Sequence, residues 1–240
     1  MTTLPQASSA AELRILTSNS SRTVLDALTP AYERASGHRY AVAFDSAKRM
    51  LARIKDGETG DVVILGASVV DDLARSGVVR AGSGRLFARS RIGVAVRAGA
   101  PKPDISTVEA FKRALLNARS IAHTVHGASG MYVPVLLERL GIAEQMKSRI
   151  VTRQGGYIGG VVAAGEAEIA VQQIVELLAV PGIDLVGPLP DEIQKVFETA
   201  AGIFAASKQP AAAQAMLRYF LAPANAGVFR EKGLEQVGWR

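Results

Sequence analysis

The chain has 240 residues, of which 48% are hydrophobic and 21% are charged. This balance excludes general disorder, and the length predicts one large domain or two lobes of about 100–150 residues each. The chain has no cysteine, which excludes disulfides, thiolate metal sites and cysteine nucleophiles. Its apolar runs fall short of the roughly 18 residues that a spanning helix needs, so we expect no membrane-embedded segment.

The charge balance favours a small anionic partner. The 28 Lys and Arg residues exceed the 22 Asp and Glu residues and give a formal net charge of +6. Basic and acidic residues alternate without forming a basic block, and aromatic residues make up only 5% of the chain. A nucleic-acid-binding protein is expected to show clustered basic residues and a recognisable motif. We therefore expect a small anion as the ligand and no nucleic acid as a partner.

The first ten residues bear on the cellular location of the chain as written. They contain neither a basic leader nor the apolar stretch of a secretory signal. On this basis we expect a cytoplasmic protein. A chain from which a signal peptide had been removed would begin in the same way and would be periplasmic.

Short β-branched runs alternate with amphipathic segments, which predicts parallel strands joined by helical crossovers. In the first half, strands are predicted at 13–17, 40–44, 61–65 and 92–96, and helices at 23–35, 47–55, 68–75 and from about 106 to 117. Gly37 and Gly77 stand where two of these helices are expected to end. Ser106 and Glu109 have the spacing of a capping box at the start of the last one.

The same alternation resumes in the second half and then stops. Strands are predicted at 120–124, 149–152, 168–172 and 197–206, and helices at 130–140, 157–164, 210–221 and 224–232. The two runs of β-α units predict an α/β protein with two lobes, one formed by residues 1–88 and 198–240 and the other by residues 89–197. Two crossovers then form the hinge, and a ligand cleft lies between the lobes.

Sequence motifs for catalysis are sparse. The chain contains no nucleophile elbow, no phosphate-binding loop that ends in Gly-Lys-Ser/Thr and no His-Glu-x-x-His. Its three histidines, His38, His123 and His126, lack the regularly spaced carboxylates that would make a zinc site with them. We therefore predict no metal site and no cofactor.

Four predicted turns share one composition. Each follows a predicted strand with small hydroxyl or glycine residues and leads directly into a helix; the turns are 17–21, 45–47, 127–130 and 154–156. In an open parallel sheet these carboxyl ends face one crevice, where helix N-termini offer free N–H groups to an anion. Each turn alone is also explained by ordinary capping. Because two turns fall in each predicted lobe, we favour a shared anion site.

Several segments spread over nearly the whole chain share one resemblance: 13–20, 32–37, 51–57, 60–65, 130–132, 137–141, 165–168 and 220–223 with Phe229. They resemble the molybdate-binding proteins of ABC transporters, which have the type II periplasmic binding fold. The resemblance implies two lobes, each a mainly parallel sheet flanked by helices. It also implies an ABC permease as a partner if the chain is exported.

The resemblance carries ligand-binding positions onto this chain. In the family, serines after the first two strands, backbone amides at a helix start in the second lobe and a late tyrosine hold the oxyanion. These positions fall on Ser20, on Ser46 or Ala47, on Ser129 with Gly130, and on Gln173. The predicted ligand-binding residues, including neighbours of these positions, are Asn19, Ser20, Ser46, Lys48, Arg49, Ser129, Gly130, Met131, Tyr157, Gln172 and Gln173.

Two departures from the family pattern bear on the ligand. The expected serine cluster reads Asp45-Ser-Ala-Lys-Arg49, and the tyrosine position holds Gln172-Gln173. Lys48 and Arg49 would pair directly with a carboxylate, so we expect an organic carboxylate rather than molybdate. The alternative for both basic residues is a solvated surface, because the apolar residues of this helix define another face.

The preferred prediction is a solute-binding protein that closes on a small anion and makes no bond. The first alternative is an enzyme, because aconitate isomerases resemble the same branch of the family; it would shift a proton on a tricarboxylate. His126, Tyr132 and Tyr157 are the candidate catalytic residues for that reaction. The second alternative is a molybdate- or tungstate-binding component of an ABC transporter, and a ligand-sensing module of a regulator is a further one.

Overall fold

The computed structural model describes residues 12–238. The prediction about a leader in the first ten residues therefore lies outside the described residues. The ten strands are β1 Glu12–Ser18, β2 Arg39–Asp45, β3 Val62–Gly66, β4 Arg85–Arg97, β5 Ile121–Thr124, β6 Ile150–Arg153, β7 Ile169–Gln173, β8 Ile183–Pro188, β9 Val196–Ile203 and β10 Glu235–Gln236 among these residues. The ten α-helices described are α1 Arg22–Ser36, α2 Ala47–Lys55, α3 Ala67–Arg75, α4 Val108–Asn117, α5 Ala128–Arg139, α6 Ala143–Met146, α7 Gly159–Ala163, α8 Ile174–Leu177, α9 Pro210–Phe220 and α10 Ala226–Glu231.

The first β-α unit shows how the sequence pattern produces the fold. Leu13, Ile15 and Leu16 in β1 are fully buried, as expected for a parallel strand that is covered on both faces. The apolar residues of α1 recur at helical spacing and form its buried face. Gly37 ends α1 with a φ of 72°, a left-handed conformation that glycine adopts without a steric penalty.

The strands form one connected sheet in the order β2-β1-β3-β9-β4-β7-β5-β6, with β8 and β10 also paired to β4. The pairs around β1 and around β5 are parallel, whereas β4 and β9 run antiparallel to their neighbours. Residues 85–91 of β4 pair with β9, and residues 92–97 pair with β7 and β8. Strand β4 is therefore longer than the predicted strand at 92–96 and passes from one lobe to the other.

Separate hydrophobic cores define the two lobes. The first lobe packs β1, β3, α1 and the C-terminal helices around side chains such as Phe87, Phe220 and Phe229. The second lobe packs β5, β7, α4 and α5 around side chains such as Phe111 and Leu136. The predicted α/β fold with two lobes is confirmed. The predicted boundaries at residues 88 and 198 fall within β4 and β9, the strands that pass between the lobes.

The predicted capping box at Ser106 is wrong. Helix α4 begins one residue later, and the side chain of Thr107 accepts a hydrogen bond from the backbone N–H of Ala110 at 3.1 Å. Ser106 instead donates its hydroxyl to Asp104 at 2.6 Å. Because Asp104 engages Ser106, the next hydroxyl along the chain takes the N-cap position.

The sequence analysis missed β8, the two-residue strand β10 and the helices α6 and α8. Helices α6 and α8 have four residues each, which is too short for a helical period to be visible. Strand β8 lies in a proline- and glycine-rich stretch that we interpreted as a break in the pattern. Within residues 12–238, no helix combines the length and apolar character needed to cross a membrane.

Candidate functional site

A cavity of about 420 Å³ lies between the two lobes, a volume within the range of small-molecule sites. We call it the interlobe cleft. Its lining combines strand–helix turns of both lobes with the start of the crossover strand β9: Ser18, Asn19, Ser20, Ser46, Ala47, Gly66, Ala67, Ser68, Val69, Gly127, Ala128, Met131, Gly156, Gln173, Glu176, Lys195, Val196, Phe197, Glu198 and Thr199.

A larger cavity of about 820 Å³ lies at the opposite edge of the second lobe's sheet. It is lined by residues that precede β5 and begin β7, such as Arg119 and Ile169, and by exposed side chains of α4. In open α/β sheets, ligands bind beyond the carboxyl ends of the strands rather than at their amino ends. The interlobe cleft lies at the carboxyl ends of β1, β3 and β7 and is therefore the candidate site.

Three helices of nine or more residues begin at the interlobe cleft without side-chain caps. The N-cap residues of α2, α3 and α5 are Ser46, Gly66 and Gly127, and in the described residues none of them makes a side-chain capping bond. Helix α4, capped by Thr107, is the one α-helix of the described residues with a side-chain cap, so the feature that sets α2, α3 and α5 apart is that they begin at the cleft. Helix N-termini present backbone N–H groups and positive potential, and in α2 the Lys48 N–H already donates to the His126 carbonyl. The remaining N–H groups make the cleft suited to bind an anion.

Buried polar atoms in the cleft lack partners of their own. Among the described residues, Ser46 Oγ and Gln173 Oε1 are buried without a hydrogen bond. The hydroxyls of Ser18 and Ser20 lie 3.0 Å apart. Ser18 and Ser20 thus bond each other, whereas leaving a buried polar group unpaired costs about 1–3 kcal/mol, so Ser46 Oγ and Gln173 Oε1 are the groups that a bound molecule would satisfy.

Glu176 is a buried carboxyl group in the wall of the interlobe cleft. It lies on α8 and is 5% exposed. Burial raises its pKa to about 8, and a hydrogen bond with the Gln172 side chain offsets only part of this rise. Near neutral pH the group is therefore mostly protonated and can either donate or accept a proton. The sequence analysis missed Glu176, because α8 is too short to be recognised.

Lys195 contributes a positive charge to the cleft. Its ammonium nitrogen lies 5.1 Å from the ring centroid of Tyr132 and 5.4 Å from that of Phe197, distances at which a cation is attracted to the ring face. Glu198, which also lines the cleft, forms an ion pair with Arg89 at 2.8 Å. Lys195 was not predicted either, since it stands in a loop that has no binding motif.

The structure brings five of the predicted ligand-binding residues to the interlobe cleft. These are Asn19, Ser20, Ser46, Met131 and Gln173. Ala47, the alternative to Ser46, lines it as well. Met131 is 48% exposed and supplies an apolar part of the wall. Strand–helix turns were thus the sequence signal that located the cleft.

Lys48 and Arg49 do not line the interlobe cleft. Both residues are exposed, because Met50 and Ile54 place the buried face of α2 against the core. This is the solvated-surface alternative of the sequence analysis. The backbone N–H of Lys48 donates to the carbonyl of His126 at 3.3 Å, so Lys48 joins the two lobes through its backbone.

Tyr132 and Gln172 are engaged elsewhere in the second lobe. The Tyr132 hydroxyl donates to the Ile193 carbonyl at 3.2 Å and accepts from Arg139 at 2.9 Å. The Gln172 side chain accepts from the Ile158 N–H at 2.9 Å and donates to the Gly156 carbonyl at 2.8 Å. Both side chains fix loops by hydrogen bonding and are outside the lining of the cleft.

Ser129 and Gly130 lie in the first turn of α5, behind the lining of the cleft. A Cβ atom at Gly130 would stand 1.8 Å from the carbonyl oxygen of Thr124. Glycine is therefore required for the start of α5 to pack against the end of β5. The hydroxyl of Ser129 is buried without a hydrogen-bond partner in the described structure.

Tyr157 and His126 lie near the cleft but are not part of its lining. Burial raises the pKa of the Tyr157 phenol to about 12, and the neighbouring Arg22 guanidinium lowers it in part. The imidazole Nδ1 of His126 is buried without a partner among the described residues. Neither side chain is placed to act on a molecule in the cleft as directly as Glu176.

Comparisons with known proteins agree with this fold. The family model described as bacterial extracellular solute-binding protein matches residues 13–235. An aconitate isomerase of a Pseudomonas species is 36% identical over 231 residues, which cover 94% of this chain and 88% of the relative.

Two solved structures have the same fold at low sequence identity. The periplasmic molybdate-binding protein of Azotobacter vinelandii superposes with a TM-score of 0.78 at 18% identity, covering 92% of this chain and 98% of that protein. The sulfate-binding protein of Mycobacterium tuberculosis superposes with a TM-score of 0.75 at 15% identity, covering 95% and 87% of the two chains.

Proposed function

This chain belongs to the bacterial extracellular solute-binding protein family, and we propose that its interlobe cleft binds an unsaturated tricarboxylate and isomerises it. The substrate class follows from the relative named aconitate isomerase, which matches 94% of this chain at 36% identity. The observation that carries the proposal is the convergence of three uncapped helix N-termini and Lys195 on one cavity of about 420 Å³.

The lining of the interlobe cleft supports an organic acid rather than a tetrahedral oxyanion. A tetrahedral oxyanion would leave much of the cavity to water, whereas a tricarboxylate has carboxylates for several helix N-termini at once. Because burial raises the pKa of Glu176 to about 8, the group is mostly protonated near neutral pH, which lets an anion enter the cleft, and its ionised fraction is the form that can take a proton from an organic substrate. Proton transfer between Glu176 and the substrate would also explain why a carboxyl group lies in a site for anions.

The reaction is a proton shift along an allylic system. A base removes one proton from the methylene group next to a carboxylate, and the C–H electron pair enters the allyl system. The double bond then moves by one position, and the proton returns to the carbon at the other end. The helix N-termini and Lys195 would stabilise the extra charge on the carboxylates, and no reagent is consumed.

A second candidate function is binding of the same tricarboxylate without reaction. The family itself and the fold neighbours that bind molybdate and sulfate favour it. The hydrogen bond between the Lys48 N–H and the His126 carbonyl joins the two lobes. Such a contact would hold the lobes closed on a bound ligand, as a binding protein requires.

One experiment separates the two functions. The protein is mixed with cis-aconitate, and the trans isomer is followed by NMR, while calorimetry measures the heat released by aconitate, citrate, molybdate and sulfate. Appearance of the trans isomer supports the isomerase. Heat from tricarboxylates without isomerisation supports the binding protein, and heat from molybdate or sulfate alone contradicts both.

A further inference from the structure

We propose that Glu176 is the acid–base group that takes the proton from the bound tricarboxylate and returns it, an inference that rests on the proposed isomerase function. Its position is the first argument. Glu176 lines the interlobe cleft from the second lobe, while the uncapped starts of α2 and α3 line it from the first lobe. A molecule held by these helix N-termini would therefore lie against the Glu176 carboxyl group.

The carboxyl group of Glu176 is buried but only weakly held. Its hydrogen bond from the Gln173 amide is 3.5 Å long, which is at the outer limit for such a bond. The Gln172 side chain, which also lowers the pKa of Glu176, is itself engaged by Ile158 and Gly156. The Oε1 atom of Gln173 has no partner among the described residues. A structural carboxylate would be expected to have short bonds to several donors, so Glu176 remains available to a substrate.

The other candidates for proton transfer are less suited. The Tyr132 hydroxyl is occupied by Ile193 and Arg139, and neither Tyr157 nor His126 lines the cleft. Glu198 lines it but is paired with Arg89. Of the carboxyl groups in the described lining, Glu176 is the one without an ion pair.

The acidity of Glu176 suits the task. Its pKa of about 8 makes the ionised form a stronger base than an ordinary carboxylate, while a useful fraction of it is ionised near neutral pH. The charged or titratable groups near it are Tyr157, with Arg22 and Asp26 beside that phenol, and Lys195 and Glu198 line the same cavity. Bringing the negatively charged substrate close adds repulsion, which strengthens the base further.

Glu176 alone can account for every proton and electron pair in the proposed step. The Glu176 carboxylate forms an O–H bond as the methylene C–H bond breaks, and the electron pair of that bond delocalises into the allyl system. The O–H bond then breaks as a C–H bond forms at the other terminal carbon. Glu176 ends in the ionised state in which it started, and the double bond has moved.

The test compares the wild-type protein with Glu176→Gln. The matched control is Glu144→Gln, which makes the same substitution at an exposed residue of α6. We expect Glu176→Gln to lower the rate of aconitate isomerisation by at least about 100-fold, the usual contribution of a general acid–base group. The control keeps the wild-type rate. Calorimetry with tricarballylate, the saturated analogue, reports an affinity that Glu176→Gln changes by less than about tenfold.

Proton exchange separates this inference from the proposed function. In D₂O, the wild type should exchange methylene protons of the bound acid for deuterium, and Glu176→Gln should not. Isomerisation by Glu176→Gln at a rate within tenfold of wild type overturns the role of Glu176 and leaves the isomerase standing. Exchange by the wild type but not by Glu176→Gln, without migration of the double bond, overturns the isomerase and supports Glu176. A wild type that neither isomerises nor exchanges protons contradicts both.

Discussion

The Glu176 carboxyl group makes the stability of the folded protein depend on pH. Its pKa is about 8 in the folded protein, compared with an ordinary value of 4.5. Between these two pH values the folded state keeps a proton that the unfolded state has lost. The contribution of this group to stability is therefore fully present below about pH 4.5 and is lost as the pH rises through 8.

Replacing Glu176 by Gln should remove this pH dependence. Glutamine has nearly the same shape and carries no charge, so we expect the free energy of unfolding of Glu176→Gln to exceed that of wild type by a few kcal/mol (order of magnitude) at pH 8. The difference should nearly vanish at pH 5. Urea unfolding at both pH values measures it, and parallel stability curves for the two proteins would contradict a raised pKa.

Lys195 and Lys48 are a matched pair for testing which cation meets the ligand. Both residues are exposed, but Lys195 lines the interlobe cleft and Lys48 lies outside its lining. We expect Lys195→Met to weaken the binding of tricarballylate by about 1.5–3 kcal/mol, because a charge-assisted hydrogen bond is lost. Lys48→Met should leave binding unchanged. Calorimetry measures both affinities. Weaker binding by Lys48→Met and unchanged binding by Lys195→Met would show that the ligand contacts the start of α2 instead.

We expect the N-terminus of α2 to bind the ligand and the N-terminus of α4 to be stabilised by its cap. Ser46 stands at the N-cap of α2 without a capping bond and faces the cleft, whereas Thr107 caps α4 through its side chain. We expect Thr107→Ala to lower the free energy of unfolding by about 1 kcal/mol and to leave ligand binding unchanged. We expect Ser46→Ala to leave the free energy of unfolding nearly unchanged, because the Ser46 hydroxyl has no hydrogen-bond partner in the described structure. The same variant should weaken ligand binding.

Two measurements on each variant check these opposite effects on stability and on binding. Urea unfolding gives the stability, and calorimetry with tricarballylate gives the affinity. A Ser46→Ala variant that is as destabilised as Thr107→Ala and binds tricarballylate normally would show that Ser46 is an ordinary cap. The N-terminus of α2 would then lose its place in the proposed site.

Across the whole molecule, shared elements join the two lobes. Strand β4 pairs with β9 at one end and with β7 at the other, and Val175 of α8 packs into the core of the first lobe. We therefore expect a single unfolding transition in calorimetry rather than one for each lobe. A ligand at 100 times its Kd should stabilise the protein by about 2.7 kcal/mol, which shifts Tm by roughly 5–10 °C. Two separate transitions would contradict this coupling.

Local patterns in the sequence predicted most of the secondary structure. The strands β1 to β3 and the helices α1 and α2 lie within one or two residues of their predicted bounds, because apolar periodicity and helix-ending glycines act over a few residues. The pattern failed for α8, which has four residues, and for the full length of β4. Pairing with β9, rather than composition, extends β4 towards the first lobe.

The sequence by itself determined the α/β class, the two lobes and the turns that meet in the interlobe cleft. The tertiary structure decided which side chains of those turns face the cleft, since that depends on how each helix packs on its sheet. Packing of α2 turned Lys48 and Arg49 to the solvent, and the approach of the lobes brought Lys195 and Glu176 to one cavity. Burial and electrostatic contacts between residues far apart in the chain arise only when the lobes pack together, and they give Glu176 its raised pKa.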